Sequence, residues 1–136
     1  MTEYIVDTGP VVALLNRRDE YHAWAKDLFS QIEPPLYTCE AVLSEVCYLL
    51  QSTSGGTDAA LTLVSQKIIV PDFVLADEIG AVRKLMAKYA NVPMSLADAC
   101  LVRMSEIVPK RTIVTLDSDF SVYRRLGKHT IDLLTP

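Results

Sequence analysis

Four carboxylates stand where chemistry could use them: Asp7, Glu45, Asp98 and Asp117. Asp7 ends the apolar run Tyr4-Ile5-Val6 and is followed by Thr8-Gly9-Pro10, read here as a chain-breaking turn. A buried strand that stops there delivers its Asp to the mouth of a sheet. Asp117 stands in the same relation to Ile113-Val114-Thr115-Leu116. Turn chemistry also favours Asp at strand ends, because its oxygens bond nearby backbone amides. Glu45 falls beside Val42 and Leu49 on a helical wheel, which predicts a half-buried carboxylate at the edge of an apolar stripe. Burial there is unfavourable unless something pairs with the charge, and a salt bridge or snorkelling to solvent is the competing reading. Asp98 follows Ser95 by three residues, a spacing that also suits a helix capping box. Asp119 is a fifth candidate, as a direct ligand, a water-mediated one or an N-cap, and Thr115 is placed to hydrogen-bond a neighbouring carboxylate.

A magnitude separates cluster from coincidence. Two carboxylates about 5 Å apart repel by roughly 3 kcal/mol at an effective dielectric near 20. Summed over the pairs of a four-acid cluster, that rivals the whole stability of a domain, ~5–15 kcal/mol. Converging acids must therefore be protonated, bridged by arginine, or bound to divalent cations. An all-oxygen donor set with no neighbouring His or Cys suits Mg²⁺ or Mn²⁺. His22 and His129 lie far from the acidic motifs in sequence and read as surface residues.

Such a cluster needs elements that aim it. Strand signals cover Glu3 to Thr8, Leu36 to Cys39, Ile68 to Val70, Arg111 to Thr115 and Thr130 to Leu134. Helical spacing appears from Asp19 or Glu20 to Pro34-Pro35, from Glu40 to Gln51, after a Thr57 cap, from Phe73 to Ala90 and from Ser95 to Val108. The Phe73–Ala90 stretch carries Leu75, Ile79, Val82, Met86 and Tyr89 as its expected inner stripe. Strands alternating with helices predict an α/β fold: a parallel, Rossmann-like three-layer sheet covered on both faces, residues 1–136 forming one domain. Ligands of such sheets bind beyond the carboxyl ends of the strands, where Asp7 and Asp117 belong.

Composition sets the bounds. Of 136 residues, 50% are hydrophobic and 22% charged, which excludes a disordered chain. No apolar run reaches the ~18 residues of a membrane span, and Met1-Thr2-Glu3 does not resemble a signal peptide, so the cytoplasm is the expected location. The net charge of −4 argues against a general nucleic-acid coat, although a local basic rim is compatible with it. The three cysteines, Cys39, Cys47 and Cys100, lack metal-type spacing and read as small core residues.

Four stretches together resemble the PIN-domain ribonucleases, especially VapC-like toxins of prokaryotic toxin–antitoxin pairs. They are Ile5-Val6-Asp7-Thr8, Glu40-Ala41-Val42-Leu43-Ser44-Glu45-Val46, Ser95-Leu96-Ala97-Asp98-Ala99 and Val114-Thr115-Leu116-Asp117-Ser118-Asp119-Phe120. The resemblance implies a helix-flanked parallel sheet and an acidic site of Asp7, Glu45, Asp98 and Asp117. It further implies Mg²⁺- or Mn²⁺-dependent RNA hydrolysis, in which the cation activates water for in-line attack. A homodimer silenced by a small antitoxin laid over the site is also implied. Arg17, Arg18, Lys110, Arg111, Arg124, Arg125 and Lys128 are candidate phosphate contacts, and Tyr37, Tyr48 and Trp24 candidate stacking platforms. Two other classes compete: a Mg²⁺-dependent phosphatase or phosphoacceptor module, and a catalytically silent scaffold for protein binding. The first lacks a second acid near Asp7 and leaves Glu45 without a role.

Overall fold

A computed structural model describes residues 2–136. Its elements are β1 (Tyr4–Val6), α1 (Thr8–Leu15), α2 (His22–Gln31), β2 (Leu36–Thr38), α3 (Glu40–Leu49), α4 (Gly56–Ser65), β3 (Ile69–Pro71), α5 (Leu75–Lys88), α6 (Leu96–Ile107) and β4 (Thr112–Val114). A 3₁₀ turn (Ser118–Ser121), a small hairpin of β5 (Arg124–Arg125) and β6 (His129–Thr130), and β7 (Leu133–Leu134) complete the chain.

Five strands form one parallel sheet in the order β3-β2-β1-β4-β7, flanked by helices. The strands are short, and β1 is central because Ile5 and Val6 are wholly buried, as are Ile113 and Val114 beside them on β4. β1 and β4 run in register from Tyr4↔Thr112 to Val6↔Val114, so they end level. Asp7 and Thr115 therefore leave the sheet side by side, and the Asp7 amide still donates to the Val114 carbonyl at 3.0 Å. α1 to α4 pack among themselves and α5 pairs with α6, whose face from Ala97 to Val102 is buried throughout. Among the described residues no helix is long and apolar enough to cross a membrane.

Several expectations need correcting. Gly9-Pro10 is no turn: α1 starts at Thr8, and Asp7 is its N-cap, accepting from the Thr8 amide. Proline is tolerated there because amides of the first helical turn have no intrahelical acceptor. Gly9 matters for a different reason. A Cβ on it would come within 3.1 Å of Leu116 Cδ1, so glycine lets the start of α1 sit against the chain leaving β4. At α4 the cap is Gly55, in the left-handed region at φ 69°, and not Thr57. On α5 the inner face is Val82, Leu85 and Tyr89, while Ile79 and Met86 are exposed. The assumed stripe was rotated by one position, since Leu85 replaces Met86. The β5–β6 hairpin was not anticipated.

Candidate active site

Asp7, Thr8, Gly9, Glu45, Leu49, Asp98, Leu116 and Asp117 line one open pocket of about 280 Å³ beyond the carboxyl ends of β1 and β4. All four expected acids thus converge. Each arrives by a distinct local device. Asp7 is placed by the end of β1 and locked as the α1 cap: its Oδ1 accepts from the Thr8 amide at 2.8 Å, and its Oδ2 accepts from the Thr115 hydroxyl at 2.7 Å. Thr115, fully buried, also accepts from the Asp117 amide at 2.9 Å. One hydroxyl therefore fixes the spacing of two acids, as its expected position behind a carboxylate implied.

Asp98 is held by a complete capping box. Its amide donates to Ser95 Oγ at 3.0 Å, and its Oδ2 accepts from the Ser95 amide at 3.1 Å. The capping reading of Asp98 holds, and the residue also lines the pocket, because the α6 N-terminus opens onto it. A third contact comes from a residue that sequence reasoning did not single out: the Tyr123 hydroxyl donates to Asp98 Oδ2 at 3.2 Å. Tyr123 is wholly buried and sits edge-on against Tyr89 and Phe120. No motif flagged it, and burial of an aromatic with a polar tip is the only general signal that could have.

Glu45 departs from expectation. It is exposed, not half-buried, because Val42 and Val46 carry the α3 core face and Leu49 on its flank is itself 48% exposed. That flank opens onto the pocket. The Thr8 hydroxyl reaches Glu45 Oε2 at 3.3 Å, tying α3 to the start of α1. Asp117 is partly buried and caps the 3₁₀ turn through the Asp119 amide at 2.8 Å. Asp119 does not line the pocket.

Burial pushes Asp7 up to about 6, against the lowering effect of its Thr115 and Thr8 bonds, and the charges of Asp98 and Asp117 add to the rise. Asp98 is raised too, by burial first and by Asp117. Burial, together with the Asp98 charge and hydrogen bond, pushes the Tyr123 phenol above its ordinary range, so it stays a proton donor. Among the described residues, no lysine or arginine forms an ion pair with any of the four pocket acids. The pocket carries crowded negative charge that the chain does not neutralise.

The donor chemistry fits a hard divalent cation. No three His, Cys, Asp or Glu side chains among the described residues are already gathered as a metal cage. Mg²⁺ does not require one, since it keeps several waters and commonly takes one or two carboxylates plus substrate phosphate.

The other expected contributors divide. Arg111 pairs with Glu3 and Asp72, each at 3.1 Å, and lies 3.7 Å over the Tyr37 ring, which removes both residues from the expected RNA contacts. Arg124 Nη1 donates to the carbonyls of Ser121, Val122 and Tyr123, and Arg125 Nη1 to that of Pro109. Trp24 packs against the core, while Tyr48 is 68% exposed. His22 bonds the Ala13 carbonyl through Nδ1 and His129 is exposed; neither lines the pocket. Cys39 and Cys100 are buried and Cys47 partly so, all as free thiols.

The pocket's acids sit on a chain whose residues 4–126 match the family model for the PIN domain. The chain belongs to the PIN-domain family. A curated relative, "Ribonuclease VapC26" of Mycobacterium tuberculosis (strain ATCC 25618 / H37Rv), is 28% identical over 128 residues, covering 90% of this chain and 93% of that protein. The fold is also that of Mycobacterium tuberculosis VapC20, described as a sarcin-ricin loop cleaving toxin. Its crystal structure superposes with a TM-score of 0.75 at 24% identity, over 88% of this chain and 94% of that one. The PIN architecture accounts for the helix-flanked parallel sheet.

Proposed function

We propose that this PIN-domain protein is a Mg²⁺- or Mn²⁺-dependent endoribonuclease and the toxin of a toxin–antitoxin pair. The observation that carries the reading is the pocket itself: Asp7, Glu45, Asp98 and Asp117 converge with no basic partner to neutralise them. The relative named as a ribonuclease supports the same class of chemistry. A phosphatase module gains no support, because the acids are spread over α1, α3, α6 and the chain after β4.

Asp7 and Asp98, the more buried pair, are assigned as direct metal ligands; Glu45 and Asp117 ligate through water or orient the attacking water. A bound cation would lower the pKa of that water and stabilise charge on the scissile phosphate. Thr115 holds Asp7 and Asp117 at their spacing, and Tyr123 and Ser95 hold Asp98. Asp119 acts behind these groups, through its amide on Asp117.

RNA is the substrate and the cytoplasm the place of action. A small antitoxin would cover the pocket, and a homodimer completes the assembly. The exposed Ile79 and Met86, one face of α5, offer apolar surface to a protein partner.

The test is cleavage of single-stranded and structured RNA by purified protein with Mn²⁺ and with EDTA. Cutting that needs Mn²⁺, together with growth arrest on expression that Asp98→Ala relieves, is the expected outcome. A protein that melts identically with and without Mn²⁺ and leaves RNA intact would instead be the silent scaffold.

A further inference from the structure

Of the seven basic residues that could meet RNA phosphates, the fold commits three elsewhere. Arg111 is held in ion pairs, and Arg124 and Arg125 bond backbone carbonyls. Arg17 and Arg18 differ. Both are exposed, and among the described residues neither guanidinium has an acidic or carbonyl partner. They line a second pocket, of about 490 Å³, with Leu15, Asn16, Ser52, Thr53 and Ser54. The three hydroxyls also have no acceptor within the described residues. Asn16 Oδ1 accepts the Arg18 amide at 3.1 Å, which fixes the turn that presents the arginines.

The location gives this donor set its meaning. α1 runs from Asp7, at the acidic pocket, to Leu15, at this one, a helical rise of about 12 Å. α3 carries Leu49, which lines the acidic pocket, and the chain then turns directly into Ser52-Thr53-Ser54. The two pockets therefore lie along one side of the molecule, joined by the α1 and α3 pair. One concentrates carboxylates; the other has two guanidinium groups and three hydroxyls and no carboxylate. Guanidinium forks and hydroxyls are the groups that take phosphodiester oxygens, and they do so without reading bases.

We propose that Arg17 and Arg18, with the hydroxyls of Ser52, Thr53 and Ser54, form a phosphate-binding subsite for the RNA strand, a few nucleotides from the scissile bond. This assignment rests on the ribonuclease reading. It positions the strand along α1, so that the backbone is held at one end while the acids act at the other.

The experiment compares the parent with Arg17→Ala/Arg18→Ala, using a labelled single-stranded RNA that spans both pockets. Cleavage is followed with Mn²⁺, and binding is followed across a salt series in an Asp7→Asn background. Loss of two contacts should raise KM about tenfold or more and flatten the log–log salt dependence of binding by about 0.7 per contact. Arg17→Lys/Arg18→Lys should restore the slope, since the charge is what it reads. A parent that cuts RNA while the double alanine variant keeps parental KM and slope overturns the subsite and leaves the nuclease reading standing. Arginine-dependent binding without any Mn²⁺-dependent cutting supports the subsite and overturns the nuclease reading. If the alanine pair perturbs the fold by circular dichroism, Ser52→Ala/Thr53→Ala/Ser54→Ala serves instead, and an unchanged KM in that variant is equally fatal.

Discussion

This chain gathers carboxylates in two places and treats them differently. Around Arg111, Glu3 and Asp72 each sit 3.1 Å from a guanidinium that is itself 9% exposed. The charge there is balanced by the chain, and the cluster welds the start of β1 to the segments after β3 and before β4. In the pocket, burial and the charges of Asp98 and Asp117 raise the proton affinity of Asp7, burial and Asp117 raise that of Asp98, and no lysine or arginine among the described residues pairs with them. The chemistry of the residues is the same in both places. What differs is whether the fold supplies the counter-charge or leaves it to be supplied from outside. The first is an internal fastening; the second, on the metal-dependent reading proposed above, gains its full stability from a bound cation.

The sharpest way to break the contrast is to remove charge from the uncompensated group. Asp7→Asn keeps the N-cap bond, because its one amide oxygen can accept from the Thr8 amide, and turns the Thr115 contact round, the amide NH₂ donating to the Thr115 hydroxyl oxygen. Cleavage should fall by more than about 100-fold, since even groups behind a metal ligand are worth 10–100-fold. The metal-free variant should melt higher than the parent. Saturating Mn²⁺ should stabilise the parent by about 2.7 kcal/mol at a hundred times its Kd and the variant far less. Equal Mn²⁺ shifts in calorimetry for the two proteins would show that Asp7 is no ligand.

How far the sequence reveals this contrast depends on the range of each contact. Asp7, Asp98 and Asp117 were legible because a strand end or a helix start lies within a few residues of each. The parallel sheet was legible because short apolar runs alternate with helical spacing. Glu45 was located but given the wrong burial, since wheel position alone does not say whether the neighbouring stripe faces the core or an opening. Tyr123 was invisible: its partner lies 25 residues away on another element. The β5–β6 hairpin was hidden because its turn puts Leu126 at φ 52° before Gly127 at φ 81°, and leucine is no turn signal. Arg111 was expected to face RNA, and nothing local announces that Glu3, 108 residues earlier, would claim it.

Acid offers the second test, because protons neutralise the same carboxylates that a cation would. The Asp7 carboxyl titrates near 6 in the folded protein against 3.8 ordinarily. The folded state therefore holds an extra proton between those values, and the metal-free protein gains stability as pH falls from about 6 towards 4. That stability is complete below the unfolded value and lost as pH rises through the folded one. The swing is about 3 kcal/mol at roughly 1.4 kcal/mol per unit, with Asp98 adding in the same direction. Melting in EDTA across this range should slope accordingly, and Asp7→Asn should flatten most of it. With Mn²⁺ present the slope should reverse, because protons then compete with metal. A metal-free parent that is most stable near neutral pH would contradict the assignment.

The balanced cluster should respond in the opposite sense. Arg111→Met removes the counter-charge from Glu3 and Asp72 and the cation above Tyr37. With both carboxylates 35% exposed, solvent screens much of the loss, so about 2 kcal/mol of destabilisation is expected instead of the larger figure for a fully buried pair. Urea unfolding measures it. Mn²⁺ stabilisation should be the same as in the parent, and a variant that lost it would link the two clusters in a way their separation does not allow.

The smallest effect probes how the uncompensated acids are aimed. Tyr123→Phe keeps the edge-on contacts with Tyr89 and Phe120, at 5.1 and 5.3 Å between ring centres, and removes only the hydroxyl. Asp98 Oδ2 then retains the Ser95 amide but loses the donor that fixes it from the β5 side. A ligand freed to rotate binds metal less well, and about tenfold weaker Mn²⁺ affinity is expected, at the lower end for a group behind a ligand. Without metal the two proteins should melt within about 1 kcal/mol of each other, because one neutral hydrogen bond is worth about that much. Titration calorimetry with Mn²⁺ separates the two quantities. Unchanged affinity beside a marked fall in metal-free stability would mean that Tyr123 serves the core alone, and that the capping box is enough to aim Asp98.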